Sequence, residues 1–262
     1  MRILFIGDVF GRPGRKMVEL YLAKIQWEYK IDFTILNGEN SSGGRGINKV
    51  AWEQMVPLGV DAVTMGNHVW DNRDLLQWIE QEKRLVRPAN LPANSPGRGY
   101  TVLPCGNEKV AVVNLLGRVY MPQPTGNCPF EALQKIIEEI RGITPIIIVD
   151  FHGEATSEKQ ALAWFADGKV SAIIGTHTHV QTNDARILPK GTAYLSDAGM
   201  TGPRDSILGV AREVIVQRFL TQRPSRFEVA EGDLQWNSVV LDIAPDGSAR
   251  QIEVLNFVHQ SI

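Results

Sequence analysis

Five short stretches of this chain carry side chains able to hold a metal ion: Asp8, Glu39-Asn40, Asn67-His68, His152 and His177-Thr178-His179. Of the five histidines, four fall in these stretches and only His259 lies elsewhere. Carboxylate, amide oxygen and imidazole together suit Mn, Fe or Zn better than Mg or Ca, which prefer oxygen donors alone. No cysteine stands among them, so a closed structural zinc site is not indicated. This many donors fits two cations with one carboxylate bridging. Singly, each residue has a plainer role: Asp8 as a capping residue, Glu39 as a solvated loop acid, Asn67 as a turn former, His152 as a satisfied strand-end histidine. Their places along the chain favour the joint reading.

Each stretch follows a short apolar run, at 2–7, 33–36, 60–65, 145–151 and 170–174. Such runs read as buried strands. Open α/β sheets bind ligands in the crevice outside their strand ends, so the five stretches should converge there. Helical spacing runs from Pro13 to about 29 through Met17, Leu20, Tyr21, Ile25 and Trp27. Asn48 can cap a helix to about 57. Asp71 or Asn72 opens another with Leu75, Leu76, Trp78 and Ile79, and Phe130, Leu133, Ile136, Ile137 and Ile140 mark a third. Ser157 with Gln160 forms a capping box for a helix to about 165. Loops are expected at 41–46, 87–99 and 122–129. Further strands are expected at 100–103, 109–115, 191–196, 209–217, 238–243 and 252–258. The first two-thirds alternates strand and helix, and the last third reads as β-rich. The fold class is α/β, one domain over 1–262. Its sheets form either two layers face to face with helices outside or one long mixed sheet.

The chain has 262 residues, 44% hydrophobic and 21% charged, with a net charge of −2. That profile argues against a general nucleic-acid or membrane surface, so phosphate binding must be local. The two cysteines, Cys105 and Cys128, sit in no metal-binding spacing and read as free thiols of a cytoplasmic protein. The first apolar run is too short for a signal peptide and meets Asp8 at once, and no run of ~18 apolar residues suggests a membrane span.

In order and in placement after strands, Asp8, Glu39, Gly66-Asn67-His68, His152 and Gly175-Thr176-His177-Thr178-His179 resemble the five-motif signature of the calcineurin-like metallophosphoesterases. The resemblance covers roughly 2–180. Two departures stand out. The first motif is usually Asp-x-His, whereas here Asp8 is followed by Val9-Phe10. The second usually offers a bridging aspartate, whereas here Glu39 stands with Asn40 beside it. With Gly-Asp-Val-Phe-Gly-Arg-Pro-Gly-Arg at 7–15 and Asn-Gly-Glu-Asn-Ser-Ser-Gly-Gly at 37–44, these departures resemble the YmdB-like branch.

That resemblance implies a two-sheet αββα sandwich and two divalent or mixed-valence transition-metal ions, iron or manganese first and zinc next. It also implies phosphodiesterase action on 2′,3′-cyclic nucleotides, giving nucleoside monophosphates. Carried over residue by residue, one metal takes Asp8, Glu39, Asn40 and His179. The second takes Glu39, Asn67, His152 and His177. Asn40 replaces the missing histidine, Glu39 bridges, and His68 stays unligated as proton donor to the leaving alkoxide after attack by a metal-bound hydroxide.

Other residues carry weaker expectations. Asp71 or Asp150 can orient a histidine from behind. The 41–46 loop can offer backbone N–H groups to a phosphate. Gly7, Gly11 and Gly14 fit neither phosphate-binding glycine pattern and read as turn glycines. Arg45, Arg118 and Arg204 can reach a phosphate or base but read first as solvated. The same site could serve a phosphomonoesterase or a nuclease. A nucleotide- or metal-binding regulatory protein with weak turnover is the alternative of another class. A His-x-His amidohydrolase is disfavoured, because the His-x-His pair comes late in the chain. RNA and a second copy of the chain stay open as partners.

Overall fold

In β1 (Arg2–Ile6), Ile3 and Phe5 enter one apolar layer while Leu4 and Ile6 enter another. Successive side chains leave a strand on opposite faces, so a strand apolar on both must be covered on both. The computed structural model describes residues 1–124 and 126–260. After β1 come β2 (Asp8–Val9), α1 (Gly11–Tyr29), β3 (Phe33–Asn37), α2 (Lys49–Met55), β4 (Ala62–Thr64), β5 (Leu85–Val86), β6 (Tyr100–Cys105) and β7 (Glu108–Leu116). Then follow α3 (Pro129–Ile140), β8 (Ile147–His152), α4 (Thr156–Ala166), β9 (Ala172–Thr176), β10 (Arg186–Ile187), β11 (Ala193–Leu195) and β12 (Met200–Pro203). The chain closes with α5 (Arg212–Thr221), β13 (Leu234–Ile243) and β14 (Ala249–His259).

Two sheets result. One has the order β2-β12-β13-β1-β3-β4-β5, with β14 on β13, and β1, β3, β4 and β5 run parallel. The other has the order β10-β11-β9-β8-β7-β6, parallel from β7 to β11. Ile3, Phe5, Phe33 and Ile35 of the first sheet share one apolar layer with Val110, Val112, Ile148 and Ile174 of the second. Met17, Leu22 and Ile25 of α1 cover the first sheet from outside, and Leu133 and Leu162 of α3 and α4 cover the second. This is the two-sheet αββα sandwich, and the single long sheet is excluded.

Several local expectations change. The 209–217 strand is instead the helix α5: Val214, Ile215 and Val216 favour a strand by type, but only Ile215 is buried there. The segment satisfies its backbone within itself, as a helix does. The Ser157 capping box does not form, because α4 begins at Thr156 with no side-chain cap and Glu158 turns inward onto the Arg118 and Val119 N–H groups. Asn72 caps only a short 3-10 turn, Arg73–Gln77. Helix α1 starts at Gly11 rather than Pro13, and Leu20 and Trp27 face solvent. Asn48 does cap α2, accepting from the Ala51 N–H at 2.9 Å. The expected 122–129 loop includes Thr125, and the 1–262 span includes Ser261 and Ile262, which lie outside the described residues. Both cysteines are free thiols, and among the described residues no helix is long and apolar enough to cross a membrane.

Candidate metal centre

The strands that fill the layer between the sheets end in polar residues on the same face. Asn37, Thr64, Asp150 and Thr176 each stand two residues after an apolar member of that layer: Ile35, Ala62, Ile148 and Ile174. Asp150 accepts hydrogen bonds from Asn37 Nδ2 at 2.9 Å, from Thr176 Oγ1 at 2.6 Å and from the Thr64 hydroxyl. Burial raises its carboxyl above the ordinary range. The Thr176 proton is spent on Asp150, so the Thr176 oxygen accepts Nδ1–H of His152 at 2.8 Å. Two residues beyond Asp150 on the same face, His152 therefore turns Nε2 into the crevice.

Three further acceptors meet that nitrogen. Glu39 Oε1, Asn67 Oδ1 and His177 Nδ1 each stand 3.0 Å from His152 Nε2. His177 Nε2 lies 3.2 Å from the Glu154 carboxylate, which can accept its N–H and leave Nδ1 as the acceptor. Donor atoms of Glu39, His152 and His177 all lie within 4.8 Å of one another. A second group adjoins the first. His179 donates Nδ1–H to the Leu208 carbonyl at 3.0 Å and brings Nε2 to 3.2 Å from Asn40 Oδ1. Asn40 donates its NH₂ to the Gly44 carbonyl, which aims its oxygen at His179. Asp8 Oδ1 lies 4.0 Å from His179 Nε2, buried and without a hydrogen-bond partner.

Lone pairs crowded this way repel unless a proton or a cation stands among them, and a buried acceptor without a partner is costly. The charged groups compensate one another. Burial would raise the Glu39 carboxyl, but contact with His152 and the nearness of His68 hold it at about 2. Burial would lower His152, but Glu39, Asp8 and Asp150 raise it to about 9. Burial and the charge on His152 push His177 down to about 3. Burial, joined by Asp197, Glu39 and Asp150, lifts Asp8 well above the ordinary range, His152 offsetting only part. The donor atoms of Glu39, His152 and His177 could therefore hold a cation, and Asp8, Asn40 and His179 offer further donors beside them.

The backbone is shaped to deliver these atoms. His177 and His179 have φ of 104° and 64°, left-handed conformations that cost a non-glycine residue about 1–3 kcal/mol. Lys159, 1% exposed, bonds the Thr176 carbonyl and Asp197 Oδ2, each at 2.9 Å, and Asp197 accepts the Thr178 N–H at 3.0 Å. That ion pair pins the turn. Gly66 has no room for a side chain: a Cβ would come within 2.2 Å of Glu39 Oε2 and 2.4 Å of the His152 ring.

All eight residues expected from the sequence border one crevice or its floor: Asp8, Glu39, Asn40, Asn67, His68, His152, His177 and His179. His68 donates its backbone N–H to Glu39 Oε2 at 3.1 Å and sets Nδ1 2.8 Å from Asp71 Oδ2. Phe10, where the related motif carries histidine, packs edge-on against His179 at 5.6 Å. His259 is satisfied elsewhere, 2.8 Å from the Tyr21 hydroxyl. Of the arginines, Arg45 lines the crevice whereas Arg118 and Arg204 do not. Sequence reasoning missed Thr176, Glu154 and the Lys159–Asp197 pair. It also missed the outer wall at 207–229. The crevice measures about 840 Å³, and that wall brings Leu208, Arg218, Phe219 and Phe227.

The model of the family described as YmdB-like protein matches residues 4–255. The chain is 52% identical over 243 residues to a Bacillus subtilis (strain 168) protein named 2′,3′-cyclic-nucleotide 2′-phosphodiesterase, covering 93% of this chain and 91% of that one. The crystal structure of a hypothetical protein from Thermus thermophilus is 41% identical with a TM-score of 0.92, covering 98% of this chain and 99% of that one. The crystal structure of a Mycoplasma pneumoniae protein titled a novel phosphatase is 35% identical with a TM-score of 0.93, covering 99% of this chain and 94% of that one. The strand-end donors, the sandwich that gathers them and these matches agree that the chain belongs to the YmdB-like family of metallophosphoesterases.

Proposed function

We propose that the protein is a metal-dependent phosphodiesterase that opens 2′,3′-cyclic nucleotides to nucleoside monophosphates. One observation carries this reading most: Glu39, His152 and His177 crowd their donor atoms within 4.8 Å of one another, and beside them the partnerless Asp8 Oδ1 lies near His179 and Asn40. Asp8, Glu39, Asn40 and His179 would hold one transition-metal ion, and Glu39, Asn67, His152 and His177 the other, with iron or manganese preferred to zinc. Bound there, two cations supply positive charge for the phosphate oxygens and acidify water enough for attack at neutral pH. The 52% identical Bacillus subtilis protein is named for this chemistry, and we extend its substrate class to this chain.

The chain's own residues do the rest. As the water oxygen bonds phosphorus, the bond from phosphorus to one ribose oxygen breaks. That oxygen takes the proton from Nε2 of His68. The Asp71 carboxylate holds the other ring nitrogen at 2.8 Å and so fixes how the ring points. An imidazole suits the task because its ordinary range lies near neutral pH. Phe227, with the guanidinium carbons of Arg45 and Arg218 at 5.7 and 5.1 Å from its ring centre, makes a π-rich wall for the base.

The test pairs metal content with turnover. Elemental analysis should find two transition-metal ions per chain, and Mn should restore release of monophosphate from 2′,3′-cyclic AMP to chelated protein. A chain that binds no metal, and that Mn does not activate, would end this reading.

A further inference from the structure

A second concavity, of about 560 Å³, opens beside the crevice and is lined by Arg12, Arg15 and Lys16 of α1, with Glu231 facing them. Three cations against one carboxylate are a local excess in a chain whose net charge is −2. Arg12 and Lys16 are exposed and pair with no carboxylate among the described residues. Arg15 donates to Gln54 Oε1 at 2.6 Å and to the Ser41 carbonyl. Burial, and the charge of Arg12 beside it, lower Arg15 from its ordinary range. Guanidiniums crowded with too little counter-charge suit an anion, and phosphate geometry matches them.

This basic pocket is the back of the metal-site loop. The Gly11 N–H bonds the Asn40 carbonyl at 2.9 Å, and Arg15 bonds the carbonyl of Ser41, the next residue. The two concavities share Gly43 and Val229 as their common ridge. Gly43 has φ of +64°, and a Cβ there would meet nothing within 4 Å, so the ridge is low and open. A chain can pass from one concavity to the other across it. In a ribonucleotide chain the phosphate nearest a terminal 2′,3′-cyclic phosphate hangs on the 5′ oxygen of the same nucleoside.

We propose that Arg12, Arg15 and Lys16 hold the backbone phosphate on the 5′ side of the reacting nucleotide, so that the substrate is an oligoribonucleotide ending in a 2′,3′-cyclic phosphate. This rests on the phosphodiesterase reading above and adds to it a second phosphate subsite. The reaction is unchanged: water adds to phosphorus, one ribose oxygen leaves with a proton, and the oligonucleotide keeps a terminal monophosphate.

The experiment compares three substrates with the metal-loaded enzyme: adenosine 2′,3′-cyclic phosphate, the same nucleotide with a 5′-phosphate, and triadenylate ending in a 2′,3′-cyclic phosphate. Triadenylate should be favoured in kcat/KM by about 10-fold, the size of one charge-assisted phosphate contact. The double substitution Arg12→Gln and Lys16→Gln should erase that advantage and leave the unphosphorylated mononucleotide unaffected. Binding of a fluorescent triribonucleotide 3′-phosphate, read by anisotropy, gives a readout without turnover. Its slope of log affinity against log salt should become shallower by about 1.4 for two lost contacts on a single strand. Equal kcat/KM for trimer and mononucleotide would overturn the proposal, as would equal losses for both in the double variant. If the 5′-phosphorylated mononucleotide shows the whole gain, the subsite serves a small nucleotide and the oligonucleotide assignment falls. If no substrate turns over, the phosphodiesterase reading fails, while the salt slope still decides the basic pocket.

Discussion

Asp8 and His152 are 0% exposed and Glu39 1%, whereas on the outer wall of the crevice Phe219 is 81% exposed. The floor residues stand on or just past strand ends, each backed by a neighbour: Thr176 and Asp150 behind His152, the His68 N–H on Glu39, Gly44 behind Asn40. The wall hangs on α5, of which only Ile215 is buried. A crevice can thus hold ligand atoms to a fraction of an ångström on one side while the other stays thinly anchored. Segments with few buried contacts open at low free-energy cost. The proposed function would assign the chemistry to the floor and the choice of substrate to the wall, a division that substitutions can break.

The largest effect should come from the atom between the two groups. Glu39→Gln is expected to remove at least one metal per chain and to lower kcat/KM by more than ~10³-fold, beyond the ~10–100-fold typical of residues that merely support ligands. Full metal content with near-normal turnover would deny Glu39 its bridging place. His68→Ala should keep both metals yet lower kcat by about 10²–10⁴-fold, the usual worth of a positioned acid. If it turned over normally, the proton would come from elsewhere. Asp150→Asn touches no donor atom of the site and acts through Thr176 behind His152 and through Asn37 behind Glu39, so metal affinity should fall by about 10–100-fold with the protein folded. Unchanged affinity in a chelator competition would show that the buried polar floor serves stability alone.

How legible these two sides are in the sequence follows from the same contrast. The short apolar runs of β1, β3, β8 and β9 are a local signal, so the strands and the convergence of Asp8, Glu39, Asn67, His152, His177 and His179 are readable. Thr176 reads only as motif filler, because its role depends on Asp150 being across the strand pair from Ile174, a register that no local pattern states. Lys159 and Asp197 form their buried pair across 38 residues. The wall misleads: Val214-Ile215-Val216 looks like a strand by residue type, but only Ile215 of the three is buried in α5. Phe10 stands out in the sequence as a departure from the related motif, but its packing on His179, and on Gly44 and Gly209 of the two loops, is a tertiary fact.

Smaller effects should appear on the wall, and there they should fall on binding. Phe227→Ala removes the ring against which Arg45 and Arg218 lie. It should raise KM for 2′,3′-cyclic AMP by about 10-fold, within the ~1–3 kcal/mol of a base on an aromatic platform, with kcat and metal content unchanged. A fall in kcat with KM preserved would place the wall in the chemistry and erase the division. Phe219→Ser is the smallest change. The side chain is 81% exposed, and a surface substitution of that kind usually shifts stability by less than about 0.5 kcal/mol. The same logic applied to the floor predicts the opposite for a single methyl group. Gly66→Ala would press on Glu39 and His152 together, where neither can yield without giving up a partner. Thermal melts of the two variants side by side should show Phe219→Ser unmoved and Gly66→Ala clearly lowered. Equal melting temperatures would mean that the floor relaxes as freely as the wall, and the rigidity assigned to it would have no basis.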